Sequence, residues 1–155
     1  MKSSPYITAQ GMAQLNEELE ARWQRRRDVV KALSAAAAEG DRSENAEYIY
    51  RKKELRGIDW RIRYLQKRMP DLRVIAESPD DGNTVFFAAW VRLEREEGDE
   101  VEYRIVGPDE IDQQKGNISL DSPLAKALLG KQVDDEVTIQ VLEGRKTYAI
   151  LAIRY

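Results

Sequence analysis

The 155-residue chain contains no cysteine and no histidine. The first absence excludes disulfides and thiolate metal sites and is compatible with a reducing compartment. The second removes the commonest general base and the commonest metal ligand. Any chemistry therefore rests on carboxylates, lysine, tyrosine or serine. No apolar run approaches the ~20 residues that span a bilayer, and the opening MKSSPYITAQ lacks the apolar stretch of a secretory signal. The expectation is a soluble, cytoplasmic protein with no membrane partner.

Net charge is −3, but the charges are unevenly placed. Residues 1–78 carry 16 Lys and Arg against 12 Asp and Glu, and residues 79–155 carry 9 against 16, so the halves stand at +4 and −7. At SPDDGN (78–83) a charged, Leu/Ala-rich stretch gives way to short β-rich runs. The chain is therefore divided into two expected domains, 1–77 and 78–155.

In the first half, Met12, Leu15, Leu19, Val29, Leu33 and Ala36 fall on a three-four alternation, with Arg22 and Arg26 in the same stripe; this predicts a helix over 8–39. Leu55, Ile58, Ile62, Leu65 and Met69 predict a second over 43–69, ended by Pro70. Two helices with one apolar stripe each and a short turn pack as an antiparallel coiled-coil hairpin. Each arm would be about 40 Å long at 1.5 Å per residue. Toward the turn, Arg22, Arg26 and the run Ala35–Ala38 replace large side chains, which keeps that end slim.

The turn itself reads GDRSENAEY (40–48) and carries Asp41 and Glu44. On one reading Gly40 ends the first helix and Asp41 with Glu44 caps the second, with Ser43 and Asn45 as ordinary turn and cap residues. On the other, the two carboxylates, distant from any core, are presented to a partner. Below them the second helix is strongly basic: Arg51, Lys52, Lys53, Arg56, Arg61, Arg63, Lys67 and Arg68 face only Glu54 and Asp59 in the same span. Arg25, Arg26 and Arg27 are expected near Arg56 and Arg61 in an antiparallel pair. With Tyr48 and Tyr50, this makes a candidate nucleic-acid band of cations and stacking rings, set against the alternative of a solvated face with local ion pairs.

The second half predicts strands at 85–95, 100–107, 136–142 and 147–155, a hairpin turn at 96–100, and a short helix within 121–135 capped by Asp121 or Ser122, begun by Pro123 and stopped by Gly130. The fold class is α+β, an antiparallel sheet crossed by one helix after the helical hairpin. Nothing in this half has the spacing of a nucleophile–base pair, a phosphate loop or a metal cluster.

GDRSENAEY, KKELRGIDWRIRYL, VFFAAWV, YRIVGPDEI and ISLDSPLAKALLG, in this order, closely resemble the Gre family of bacterial transcription elongation factors, over essentially the whole chain. Arg42, the pair Lys52 and Lys53, and the basic second helix resemble its GreB branch. The resemblance implies that the hairpin enters the secondary channel of bacterial RNA polymerase. There it stimulates Mg²⁺-dependent cleavage of backtracked nascent RNA, as an accessory factor rather than an enzyme. It implies Asp41 and Glu44 as the catalytic acids sharing the polymerase's Mg²⁺, and Ser43 and Asn45 as tip support. Tyr48, Tyr50, Lys52, Lys53, Arg56 and Arg61 would grip the 3′ end of the RNA. It further implies an FKBP-like second domain docking on a coiled coil of the largest polymerase subunit through Asp121, Ser122 and Pro123, with no stably bound cofactor. A channel-binding regulator without cleavage activity, and a free-standing RNA-binding coiled coil, remain as alternatives.

Overall fold

The computed structural model describes residues 3–39, 45–76 and 79–155. It divides into two compact units, Met12–Leu72 and a second made of Met1–Gly11 with Arg73–Tyr155. Residues 3–11 therefore fold with the β-rich half.

The helical unit is built from α1 (Ala9–Ala37, whose first turn lies in the other unit) and α2 (Ala46–Arg68). Leu15, Val29 and Ala36 of α1 and Ile58, Ile62 and Leu65 of α2 are buried, with Leu19 and Leu55 packed alongside. Each large aliphatic removed from water there contributes about 1.5–3 kcal/mol. Cross-helix bonds run in opposite chain directions: Ala36 meets Asn45, Arg25 meets Glu54, and Glu18 meets Arg61. The hairpin is thus antiparallel. Pro70 sits in a 3₁₀ turn, Met69–Asp71, that follows α2.

Arg61 donates from Nε and Nη2 to Glu18 at 2.7 and 2.9 Å, and Arg22 donates to the same carboxylate at 2.7 Å. Those guanidiniums, Arg61 first, hold the Glu18 carboxyl at about 2, against an ordinary 4.5. Because the folded value is depressed, the stabilisation is complete above the unfolded pKa and is lost as pH falls from about 4.5 toward 2. Acid titration of the melting temperature is therefore expected to show a fall below pH 4.5 that Glu18→Gln flattens. An unchanged acid slope in that variant would refute the assignment.

The other unit is a five-stranded mixed sheet of order β5-β4-β3-β7-β6 plus a two-stranded one. Its strands are β3 (Trp90–Arg95), β4 (Glu100–Val106), β5 (Asn117–Ser119), β6 (Glu136–Val141) and β7 (Gly144–Arg154). All neighbours run antiparallel except β4 and β5, so the sheet expected to be antiparallel contains one parallel pair. The short strands β1 (Tyr6–Thr8) and β2 (Arg73–Ile75) pair in parallel. The helix α3 (Pro123–Leu128) contributes Ala125 and Leu128 to a core with Val91, Leu93, Ile105, Val137, Tyr148 and Ile150.

The strand expected from residue 85 begins only at Trp90. Ala88 has φ +73°, and Ala89 N–H donates back to Phe86 O, so residues 86–89 form a turn while Val85 and Ala89 remain buried. Conversely β7 begins at Gly144, before the expected 147, because the left-handed Gly144 (φ +120°) folds the chain tightly back onto Val141.

Candidate functional site at the hairpin end and its basic shaft

The end of the hairpin is closed by Asn45. As N-cap of α2 it is in extended backbone (φ −84°, ψ 99°) and its Oδ1 accepts from Tyr48 N–H at 3.1 Å. Its Nδ2 donates to the Ala36 carbonyl in the last turn of α1 at 2.7 Å. A single amide thus satisfies an orphan donor at the start of one helix and adds a second bond, beside that from Glu39 N–H, to a carbonyl at the end of the other. The capping position read from the sequence is corrected here: α2 begins at Ala46 rather than at 43, and its cap is Asn45.

Asp41, Ser43 and Glu44, with Gly40 and Arg42, lie outside the described residues. By chain connectivity they link the two helix ends that Asn45 clasps. Since the capping duty belongs to Asn45, the capping role that the sequence allowed Asp41 and Glu44 loses its main support.

Asn45→Asp keeps the acceptor for Tyr48 N–H but replaces the donor to Ala36 with a carboxylate facing a carbonyl. Asn45→Ala loses both bonds. Each is expected to destabilise the hairpin by about 1 kcal/mol in thermal denaturation, Asn45→Ala also exposing the Tyr48 amide to faster hydrogen exchange. If Asn45→Ala leaves both the melting temperature and Tyr48 exchange unchanged, the clasp does not hold the hairpin end.

The basic residues below do not form one face. At 100° per residue, Tyr48 and Lys52 lie on one flank of α2, Tyr50 and Arg61 on the other, and Lys53 and Arg56 toward the outer side. The sparse acids are used across the seam. Glu54 binds Arg25 at 2.9 Å and Arg51 at 2.9 Å, and Asp59 binds Arg26 at 2.7 Å. Desolvation opposes ionisation of Glu54, but the bonds from Arg25 and Arg51 outweigh it and its carboxyl lies below the ordinary value. Arg25 and Arg26, expected to add to a cluster around Arg56 and Arg61, are therefore paired, and Arg61 is bound to Glu18. Lys52 lies 5.9 Å from the Tyr48 ring centroid. Among the described residues, Lys53 and Arg56 make no ion pair.

Sequence reasoning passed over two features of α2. Trp60 is 66 % exposed beneath Arg63, whose guanidinium is 5.7 Å from the ring centroid. Gly57 sits in mid-helix, where glycine costs about 1 kcal/mol relative to alanine, and a Cβ there would meet nothing within 4 Å. The signal was present, since an isolated glycine inside a helical pattern calls for a local reason.

In the other unit, the candidate docking residues sit together at the start of α3. Ser122 Oγ accepts from Ala125 N–H at 3.3 Å as the helix cap, and Pro123 is exposed as the first helical residue. Asp121 is half-buried, and its carboxylate accepts from Ser4 N–H at 2.9 Å and from the Ser4 hydroxyl. Among the described residues no three His, Cys, Asp or Glu side chains could jointly hold a metal, and no helix is long and apolar enough to cross a membrane.

A family model described as "Transcription elongation factor, N-terminal" matches residues 5–74, and one described as "Transcription elongation factor, GreA/GreB, C-term" matches residues 79–155. Curated relatives include the transcription elongation factor GreB of Pseudomonas aeruginosa, 53% identical over 98% of this chain and 91% of that protein. That of Yersinia pestis is 54% identical over 100% of this chain and 91% of that protein. Among solved structures, the GreA factor homolog 1 of Thermus thermophilus aligns at 25% identity over 97% of this chain and 98% of that chain, with a TM-score of 0.43. With both family models matched end to end and half of all positions identical to GreB proteins, the chain belongs to the GreA/GreB family of transcription elongation factors, on its GreB side.

Proposed function

We propose that this chain is a transcript-cleavage factor that inserts its hairpin into the secondary channel of bacterial RNA polymerase and activates the polymerase's own hydrolysis of backtracked RNA. The observation that carries the reading is the Asn45 clasp: it takes over the capping role and leaves Asp41 and Glu44, in the short link between the helix ends, for presentation to a partner. Identity to GreB proteins over nearly the whole chain supports it.

On this reading the protein is an accessory and the reacting site belongs to the polymerase. Two carboxylates alone are too few for a resident metal site. They suit a Mg²⁺ whose other ligands come from polymerase and water, since this ion keeps several waters and takes one or two carboxylates. When bound, the ion supplies Lewis-acid activation of the attacking water and neutralises charge on the scissile phosphate. Asp41 is assigned to the metal, directly or through its water. Glu44 is assigned to orienting the attacking water or to a second place on the metal, and Ser43 and Asn45 to orienting the tip or touching the polymerase. Asp121, Ser122 and Pro123 are assigned to docking at the channel rim, and the cations of the shaft to the extruded RNA 3′ segment.

The test is a stalled, backtracked polymerase complex carrying 3′-labelled RNA. Release of short labelled 3′ fragments that needs both the protein and Mg²⁺ supports the reading. Polymerase binding without release would make the chain a channel-bound regulator, and RNA binding without polymerase binding would make it a free-standing RNA-binding protein.

A further inference from the structure

We propose that Ser4 is a positioning residue for docking: its backbone N–H and its hydroxyl hold the Asp121 carboxylate in the orientation in which it receives a guanidinium or ammonium group of the polymerase. This deepens the proposed function and rests on that reading for the docking role of Asp121. Ser4 N–H donates to Asp121 Oδ2 at 2.9 Å, and the Ser4 hydroxyl donates to Oδ1. One residue, 117 positions away along the chain, thus grips both oxygens of the carboxylate.

The grip is more than a tether for the segment that leads into β1, because that segment is fastened without it. Pro5 O accepts from Arg73 N–H at 2.7 Å, β1 pairs with β2 along its three residues, and Thr8 bonds to Glu110. Proline at position 5 also disfavours helical backbone at Ser4. The other side of the contact is framed as well. Asp121 N–H donates to Ser119 Oγ at 3.0 Å, Ser122 N–H donates to Ser119 O at 2.9 Å, and Ser122 caps α3. With backbone held on both sides, what the Ser4 bonds add is the direction of one side chain. An ionised carboxylate accepts about four hydrogen bonds, so the two from Ser4 orient it without filling it. Fixing it beforehand removes the cost of ordering it when the partner's cation arrives. Ser3, exposed and one position earlier, makes no side-chain hydrogen bond among the described residues and serves as the control.

The test is competition of unlabelled full-length variants against fluorescein-labelled wild-type protein for bacterial core RNA polymerase, read by anisotropy. Ser4→Ala is expected to bind about fivefold more weakly than wild type, with an unchanged melting temperature. Ser4→Thr, which keeps both donors, and Ser3→Ala should bind as wild type does. At saturating concentration Ser4→Ala should cleave backtracked RNA at the wild-type rate, a separation of affinity from rate that a loosened fold would not give. In an Asp121→Ala background, Ser4→Ala should cost nothing further. Wild-type affinity in Ser4→Ala, or the same loss when Asp121 is already alanine, overturns the assignment and leaves the functional reading intact. A melting temperature that falls along with the affinity makes Ser4 a tether and overturns it too. Binding that depends on Ser4 without transcript cleavage upholds the assignment and sinks the cleavage reading. A wild-type protein that does not bind the polymerase sinks both.

Discussion

Alanine at Asp41 or at Glu44 is expected to lower stimulated cleavage of backtracked RNA by about a hundredfold or more, while competition for the polymerase stays at wild-type strength. The magnitude is that of removing a group which touches the reacting centre only through a metal or its water. The cap that either acid could have supplied to α2 is made by Asn45, so the loss should appear in the rate and not in the melting temperature. Asn45→Ala is the necessary comparison, because it keeps both carboxylates and loosens the frame that carries them. It should melt lower and cleave at an intermediate rate. If Asp41→Ala and Glu44→Ala fall together with Asn45→Ala in both stability and rate, the acids act through the shape of the hairpin end. If all three cleave like wild type, the chemistry lies elsewhere on the protein.

The helical hairpin is legible because its signal is periodic and long. Twenty-nine and twenty-three helical residues repeat the same apolar stripe, and Val29, Ile58, Ile62 and Leu65 are buried where the pattern puts them. The strands β1, β2 and β5 were not foreseen, since three residues hold no period. What is buried in β1 depends on partners far along the chain. Ile7 and Thr8 are covered because Thr8 bonds to Glu110 and Tyr6–Thr8 pairs with Arg73–Ile75.

The shaft shows the limit of counting charge along one helix. The excess of Lys and Arg on α2 is real, but which of them remain available depends on acids supplied by α1, as Glu18 shows for Arg61, and on acids of α2 that reach back to α1, as Glu54 and Asp59 show for Arg25 and Arg26. The acidic turn was conspicuous in the sequence, whereas the cap stayed open between Asp41 and the turn residues after it, and the structure gives it to Asn45. D-x-x-E and the lone asparagine that follows are both legitimate cap signals, and only the position of the first helical residue decides between them.

Two helical glycines are expected to respond to alanine with opposite signs. At Gly57 a methyl group enters open space, and the hairpin should gain about 1 kcal/mol from helix propensity alone. At Gly11, in the first turn of α1, a Cβ would overlap the Glu110 carboxyl group and lie 2.6 Å from its Cγ. Glu110 is not free to swing aside. Its carboxylate accepts from Thr8 N–H at 3.0 Å, from the Thr8 hydroxyl, and from Gly107 N–H at 2.9 Å, and these bonds fasten β1 and the start of α1 to the 3₁₀ turn Pro108–Glu110. Displacing it leaves partly buried donors unpaired, at about 1–3 kcal/mol for each such group. Gly11→Ala should therefore destabilise the protein by about 2–4 kcal/mol in thermal or urea denaturation, reversing the usual sign for glycine to alanine in a helix. Glu110→Ala should cost a similar amount by removing the acceptor outright. The two changes are not independent: once Glu110 is alanine the obstacle is gone, and adding Gly11→Ala should then be neutral or slightly stabilising, a coupling of about 2 kcal/mol or more in a double-mutant cycle. Additive losses in that cycle would mean that Gly11 is required for some reason other than its approach to Glu110.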